Sequence, residues 1–172
     1  MRIDRLAPGD LERDGPALAD LLHACVHAGA SVGYVLPFGR DDAMRFWREA
    51  VLPAVRAGTR ILLVLRDAEE IAGTVQLDID TPPNQPHRAE ARKLLVHPRH
   101  RRRGVARALM AELETAARER GRSLVTLDTR TGDAAEPLYA SLGYSICGTI
   151  PGYCRDPIAD AWDATTIMYK TL

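Results

Sequence analysis

The sequence predicts an α/β fold, one mixed central sheet of about seven strands with about four helices, and three observations carry that expectation. Strand-length apolar runs and helical spacings follow one another in the order β-α-α-β-β-β-α-β-α-β-β. A strand at "RKLLV" leads through a long helix into a second strand at "LVTLD", a connection of the length a parallel crossover needs. The chain has 172 residues, 46% apolar and 27% charged, which fits one domain over 1–172 with a full hydrophobic core.

Each element has its own warrant. "IDRL" at 3–6 reads as a first strand. In "PGDLERDGPALADLLHACVHAGA" the apolar positions Leu18, Leu21, Leu22, Cys25 and Val26 recur at helical spacing, and Gly29 stops them. "SVGYVLPFG" is an aromatic loop. A second helix starts near Asp41, a plausible N-cap, and runs through "AMRFWREAVLPAVRAG" with a bend expected at Pro53. "TRILLVLRD" and "EEIAGTVQLDID" form an antiparallel hairpin turning at 67–69. Three prolines make "TPPNQPH" a loop. Arg88 to His97 reads as a strand ended by Pro98, the next helix stops at Gly121, and "SLVTLDT" is a short buried strand. "AAEPLYASLG" is a short helix, and two strands at 144–150 and 163–170 close the chain.

Composition excludes several function classes. Lys plus Arg and Asp plus Glu stand at 23 each, so no global field draws the chain to nucleic acid or to an acidic membrane. The charged start "MRIDRLAPGD" lacks a signal-peptide core and no later run reaches membrane-span length, which gives a cytoplasmic expectation. Cys25, Cys147 and Cys154 form no CxxC pair, so neither a disulfide framework nor a zinc site is expected. His23 and His27 share a helix face but lack a third ligand, and no metal is expected.

The most informative stretch is "HPRHRRRGVARALM" at 97–110. A strand ends, a basic turn with one glycine follows, and a helix opens, so consecutive backbone N–H groups and the positive helix end converge on one spot suited to a pyrophosphate. Gly104 and Ala106 leave room for phosphate oxygens, while Arg101, Arg102 and Arg103 bring charge. Neither GK[ST] nor GxGxxG is present, so this is not a Walker or a dinucleotide loop. A solvated helix start and a nucleic-acid patch are the competing readings; the second is disfavoured because no aromatics interleave with the basic residues.

"RRRGVA", Arg101 to Ala106, resembles the [RQ]xxGx[GA] coenzyme A loop of the GNAT superfamily of N-acetyltransferases, and "LLVHP" is similar to the strand end that precedes it there. "LYASLGY" falls at that family's downstream position, and "LDTRTGDAAEPLYASLGYSICGTIPGYC" followed by "TTIMYKTL" resembles the tabtoxin-resistance branch. The resemblance implies a GNAT-like sheet with splayed central parallel strands. It implies acetyl-CoA as co-substrate, held by the backbone of Leu94, Leu95 and Val96 and by the loop from Arg101 through Val105 and Ala106 to Arg107. It also implies transfer to a primary amine of a small molecule, a β-lactam amino-acid toxin being one candidate.

Acetyl transfer to an amine needs a proton acceptor, a donor to the thioester oxygen and a donor to the departing thiolate. Tyr139 in "LYASLGY" matches the family's frequent general acid; a tyrosine with a satisfied hydroxyl is the alternative. Tyr144 matches a structural aromatic. Glu90, in phase with Arg92, Leu94 and Val96 by the two-residue repeat, and Asp128, at the carboxyl end of the neighbouring strand, are the candidate bases. A salt bridge of Glu90 with Arg88 or Arg92, or a loop hydrogen bond at Asp128, would put these carboxylates to other use. Tyr34, Phe38, Trp47 and Asp78 are candidate substrate walls, and "PGYC" at 151–154 stands at the mouth by resemblance. The expected partners are acetyl-CoA and a small amine, with no nucleic acid or membrane, in a monomer or homodimer. An idle acyl-CoA-binding regulator and a protein or polyamine acetyltransferase are the alternatives.

Overall fold

In a computed structural model that describes residues 1–172, β1 (Arg2–Arg5), β2 (Arg60–Asp67), β3 (Glu70–Asp78), β4 (Arg88–Val96), β5 (Leu124–Arg130), β6 (Ser145–Arg155) and β7 (Trp162–Thr171) join in one sheet. Their order is β1-β2-β3-β4-β5-β7-β6, and only β4 and β5 run parallel. The expected mixed seven-stranded α/β architecture is the one that forms.

Alternation along the strands feeds two cores. On β2, Leu62 and Val64 face one side and Leu63 and Leu65 the other. The first side is covered by α1 (Pro8–His27), α2 (Arg40–Arg45), a π-helical turn (Phe46–Val51) and α3 (Leu52–Arg56), with Leu18, Leu22, Trp47 and Val51 buried against it. The second is covered by α4 (Val105–Glu119) and α5 (Ala135–Ser141), where Leu109, Met110 and Leu113 meet Val75, Leu77, Val125 and Met168. Each fully buried leucine contributes about 1.5–3 kcal/mol.

Four local departures from the sequence expectation have physical reasons. In the second helix the change of geometry lies just ahead of Pro53. The turn before it widens, with the Leu52 N–H donating to Trp47 O, because an α-helical geometry would drive the proline ring into the preceding turn. Helix α4 starts only at Val105, since Arg102 (φ 62°) and Gly104 (φ 81°) hold left-handed backbone and a 3-10 turn occupies Pro98–His100. Strand β6 runs on to Arg155, past slips in register after Ile146 and Ile150 that hide its length from a simple repeat. On β4, Gln76 pairs with Arg92 and Thr74 with Leu95, so Lys93 and Leu94 together oppose Val75 in a bulge with Lys93 at φ 50°.

That bulge corrects the phase expected for Glu90. Leu94 and Val96 pack towards α4, whereas Leu95 packs towards α1. Arg92 contacts Glu90 on its own strand, and the Lys93 side chain reaches the loop after α1. Glu90 therefore does not share a face with Leu94 and Val96: one extra residue reverses the alternation.

Candidate active site

The site begins where two strands part. β4 and β5 pair from Arg88 with Leu124 to Glu90 with Thr126 and no further, although β4 continues to Val96 and β5 to Arg130. The main chain of Leu94, Leu95 and Val96 is thereby left without a partner on its β5 side. A cavity of about 940 Å³ fills the wedge and runs on to the start of α4.

At the α4 end the lining is largely main chain. Ala108 is the first residue of the helix to bond back, to Gly104 O, so the N–H groups of Val105, Ala106 and Arg107 have no partner within the helix. All three residues line the cavity with Gly104, Arg101 and Arg102. A Cβ added at Gly104 would meet no atom within 4 Å and would enter this open space, so the glycine both adopts the left-handed turn and keeps the cradle clear. The helix start is seated by Gly73 of β3, where a Cβ would stand 2.7 Å from Leu95 O and 2.8 Å from Val105 Cγ1. Arg107 donates to Ser141 Oγ of α5 at 2.8 Å. The N-terminus, the unpaired β4 edge and the two free arginines fit a diphosphate carrying an extended amide-bearing arm.

At the other end the lining is charged side chain. Glu90 and Asp128 both line the cavity. Glu90 lies 3.7 Å from Arg92 Nε with its side chain 37% exposed, and Asp128 Oδ2 stands 3.2 Å from Thr165 Oγ1. Tyr139 is only 6% exposed, yet it borders the same cavity and its hydroxyl is engaged by no hydrogen bond. Burial, with the Asp128 charge adding to it, pushes the phenol well above the ordinary tyrosine range. Burial also holds Lys93 below the usual lysine range. The Cys25 thiol, pushed up to about 11 by burial, donates to Val96 O at 3.4 Å. Arg130 gathers the walls: it donates to Gly29 O at 3.0 Å and pairs with Asp133, Asp156 and Asp163.

Comparison with known proteins decides the family. The acetyltransferase (GNAT) family model matches residues 21–144. The chain belongs to the GNAT acetyltransferase family. An N-acetyltransferase from the hisH–hisA intergenic region of Azospirillum brasilense is 34% identical over 138 residues, 79% of this chain and 77% of that protein. The fold is shared with the ribosomal-protein-alanine N-acetyltransferase of Brucella melitensis (TM-score 0.80, 22% identity, 100% of both chains). It is shared equally with the yncA acetyltransferase structure from Salmonella typhimurium, solved with acetyl-CoA (TM-score 0.80, 20% identity, 100% of this chain and 94% of that one). The protein is thus an acetyl-CoA-dependent N-acetyltransferase. No cluster of three or more His, Cys, Asp and Glu side chains suited to a metal is present, and no helix is long and apolar enough to cross a membrane.

Within this GNAT scaffold the residues singled out from sequence divide cleanly. Glu90, Asp128, Tyr139, Leu94, Leu95, Val96, Arg101, Arg102, Gly104, Val105, Ala106 and Arg107 are brought to one cavity, with Tyr153 and Cys154 of the "PGYC" stretch. Arg103 is not: it pairs with Asp67 at 2.8 Å and meets His100 Nδ1 at 3.0 Å, fastening the basic turn to the β2–β3 hairpin. The four proposed substrate walls also lie elsewhere. Trp47 is fully buried in the α1-side core, because its large apolar surface is worth more there than in a wet cleft. Tyr34 and Phe38 stack on each other beside a smaller depression next to α2. Asp78 pairs with Arg60 and Arg92; burial works against its charge, but the Asp80 N–H and these arginines hold it below the usual carboxylate range. The sequence reading missed Lys93, Arg130 and the loop 28–33. The glycines at 29 and 33 were the available signal for that loop.

Proposed function

We propose that this acetyltransferase moves the acetyl group directly onto the primary amine of a small molecule, with Asp128 and Glu90 serving the amine and Tyr139 the departing sulfur. The observation that carries the reading is that these three side chains meet in the cavity that the splayed strands and the α4 cradle open into. Acetyl-CoA supplies the activated thioester. Leu94, Leu95 and Val96 offer main-chain N–H groups to its arm and to the carbonyl oxygen, while Arg101, Arg102, Arg107 and the N–H groups of 105–107 hold its phosphates. Asp128 and Glu90 attract an ammonium and accept the proton that frees its lone pair, directly or through water. Tyr139 keeps its proton at working pH and donates a hydrogen bond to the sulfur as the carbon–sulfur bond breaks. Since a thiol ionises at about 8.5, the sulfur needs little more than that stabilisation. Cys25 is buried against the Val96 carbonyl and makes no base contact, which argues for transfer without an acyl-enzyme.

The resemblance of the C-terminal half to the tabtoxin-resistance branch makes a β-lactam amino-acid toxin the first acceptor to assay. Free-thiol release from acetyl-CoA is measured against an amine panel for wild type, Asp128→Asn and Glu90→Gln. Amine-dependent release that falls by about 10²-fold or more in at least one variant is expected of a general base. Undiminished turnover in both would remove the carboxylates from the reaction, and tight acetyl-CoA binding without any release would favour a regulator or a protein substrate.

A further inference from the structure

Lys93 is one of only two lysines in the chain, it lines the cavity, and unlike Arg92 and Arg130 there it pairs with no carboxylate. The bulge re-aims it. Had β4 alternated regularly, Arg92 and Lys93 would point to opposite faces, but both lie on the face away from α4, Arg92 beside Asp78 and Glu90 and Lys93 reaching the loop after α1. The ammonium has three N–H donors and spends one, on Val32 O at 2.7 Å, with the Phe46 ring 5.9 Å away. No carboxylate pairs with it. The shielded cations Arg60, Arg66, Arg130 and Lys170 each pair with an acidic side chain, Asp78, Asp14, Asp156 and Glu114 respectively, and Arg88 and Arg122 are each held by two or more carbonyl or hydroxyl oxygens instead. A shielded charge without a counter-ion is costly, and a chain retains one most economically where an incoming anion completes it. Gly33 passes close to the ammonium, and a Cβ there would stand 3.5 Å from Nζ, in van der Waals contact with it. Gly33, Lys93, Glu90 and Asp128 line the same cavity.

We infer that Lys93 receives a carboxylate carried by the acyl acceptor, so that the substrate class is an amine bearing a carboxylate, with the ammonium directed to Asp128 and Glu90. This rests on the assignment of those two carboxylates to the amine. The unspent N–H groups supply a charge-assisted bond, and the acidic and basic groups of the pocket then match a zwitterion end to end.

The test compares acceptors that differ only in the carboxylate: L-lysine and L-ornithine against cadaverine and putrescine, with acetyl-CoA saturating, for wild type, Lys93→Gln and Lys93→Arg. Wild type is expected to favour the amino acids in kcat/KM by about 10- to 100-fold, the range of one hydrogen bond to a charged group. Lys93→Gln should remove that preference through KM of the amino acids, and Lys93→Arg should restore part of it. Equal loss on amino acids and diamines would overturn the inference and make Lys93 a clamp on the loop through Val32. A wild type with no preference overturns it while leaving the small-amine reading intact, and turnover with neither set would take both down. Unchanged melting temperatures and acetyl-CoA affinity of the variants exclude misfolding.

Discussion

The two ends of the cleft are built from different materials. At the end we assign to the coenzyme the lining is largely main chain: the N–H groups of 105–107, the unpaired edge of Leu94 to Val96, and a left-handed Gly104. At the end we assign to the acceptor it is side chain: Glu90 and Lys93 of β4, Asp128 and Arg130 of β5 and Tyr139 of α5, walled by the loop after α1 and by Tyr153 and Cys154 of β6. Main-chain geometry is fixed by a contiguous turn and tolerates wide variation in side chains. Side-chain geometry depends on bulges, caps and distant ion pairs, so it is the end at which one scaffold is retuned for a new acceptor.

The largest expected effect tests the main-chain end. Gly104→Glu places a carboxylate in the cradle on a backbone that L residues resist, and acetyl-CoA affinity measured by calorimetry should fall by about 100-fold or more. Gly104→Ala, which adds a Cβ that meets no protein atom, separates strain from occlusion: the left-handed penalty alone is about 1 kcal/mol. Equal tolerance of both residues would break the claim that this end works through its backbone.

A smaller effect is expected at the side-chain end, and it should leave affinity alone. Tyr139→Phe removes the hydroxyl that we assign to the departing sulfur, so kcat should drop about 100-fold with the acetyl-CoA dissociation constant within about twofold. Because burial raises its pKa, Tyr139 stays protonated where an exposed tyrosine would ionise, near pH 10. The wild-type rate should therefore show no alkaline fall attributable to it through that range. A rate that declines there in wild type but not in Tyr139→Phe would contradict the burial argument, and unchanged kcat in the variant would remove its role.

The same contrast explains what could be read from the chain alone. The parallel crossing and the cradle follow from local patterns within 88–130, and most of the residues of "RRRGVARA" line one cavity. Asp128 was singled out by its place at the end of its strand, and Glu90 by a two-residue phase that the bulge reverses; it is the parallel register of β4 and β5 that sets them two positions apart. Lys93 was not: its direction depends on a bulge whose cause is the pairing with β3. Arg130 was not either, since its partner Gly29 lies 101 residues away. Trp47, Tyr34 and Phe38 misled for the opposite reason. Aromatic residues near a loop satisfy a pocket pattern, but sequence gives no measure of the competing demand of the core, which claimed Trp47 completely. Gly73 carries no motif, and only the seating of Val105 on β3 reveals why a side chain is excluded there.

The smallest expected effect sharpens the comparison at its most basic point, the run of three arginines. If the coenzyme end acted through accumulated charge, Arg101, Arg102 and Arg103 would be interchangeable. The structure separates them: Arg101 and Arg102 line the cavity, whereas Arg103, 47% exposed, is turned to Asp67. Such a partly exposed pair is worth about 0.2–1 kcal/mol of stability. Arg103→Ala should thus lower the melting temperature slightly and change the acetyl-CoA dissociation constant by less than about twofold, while Arg102→Ala weakens binding by several-fold, as loss of a direct phosphate contact does. Equal weakening in the two variants would show that the turn is read as a cloud of positive charge, and that the division between a main-chain end and a side-chain end does not extend to the arginines.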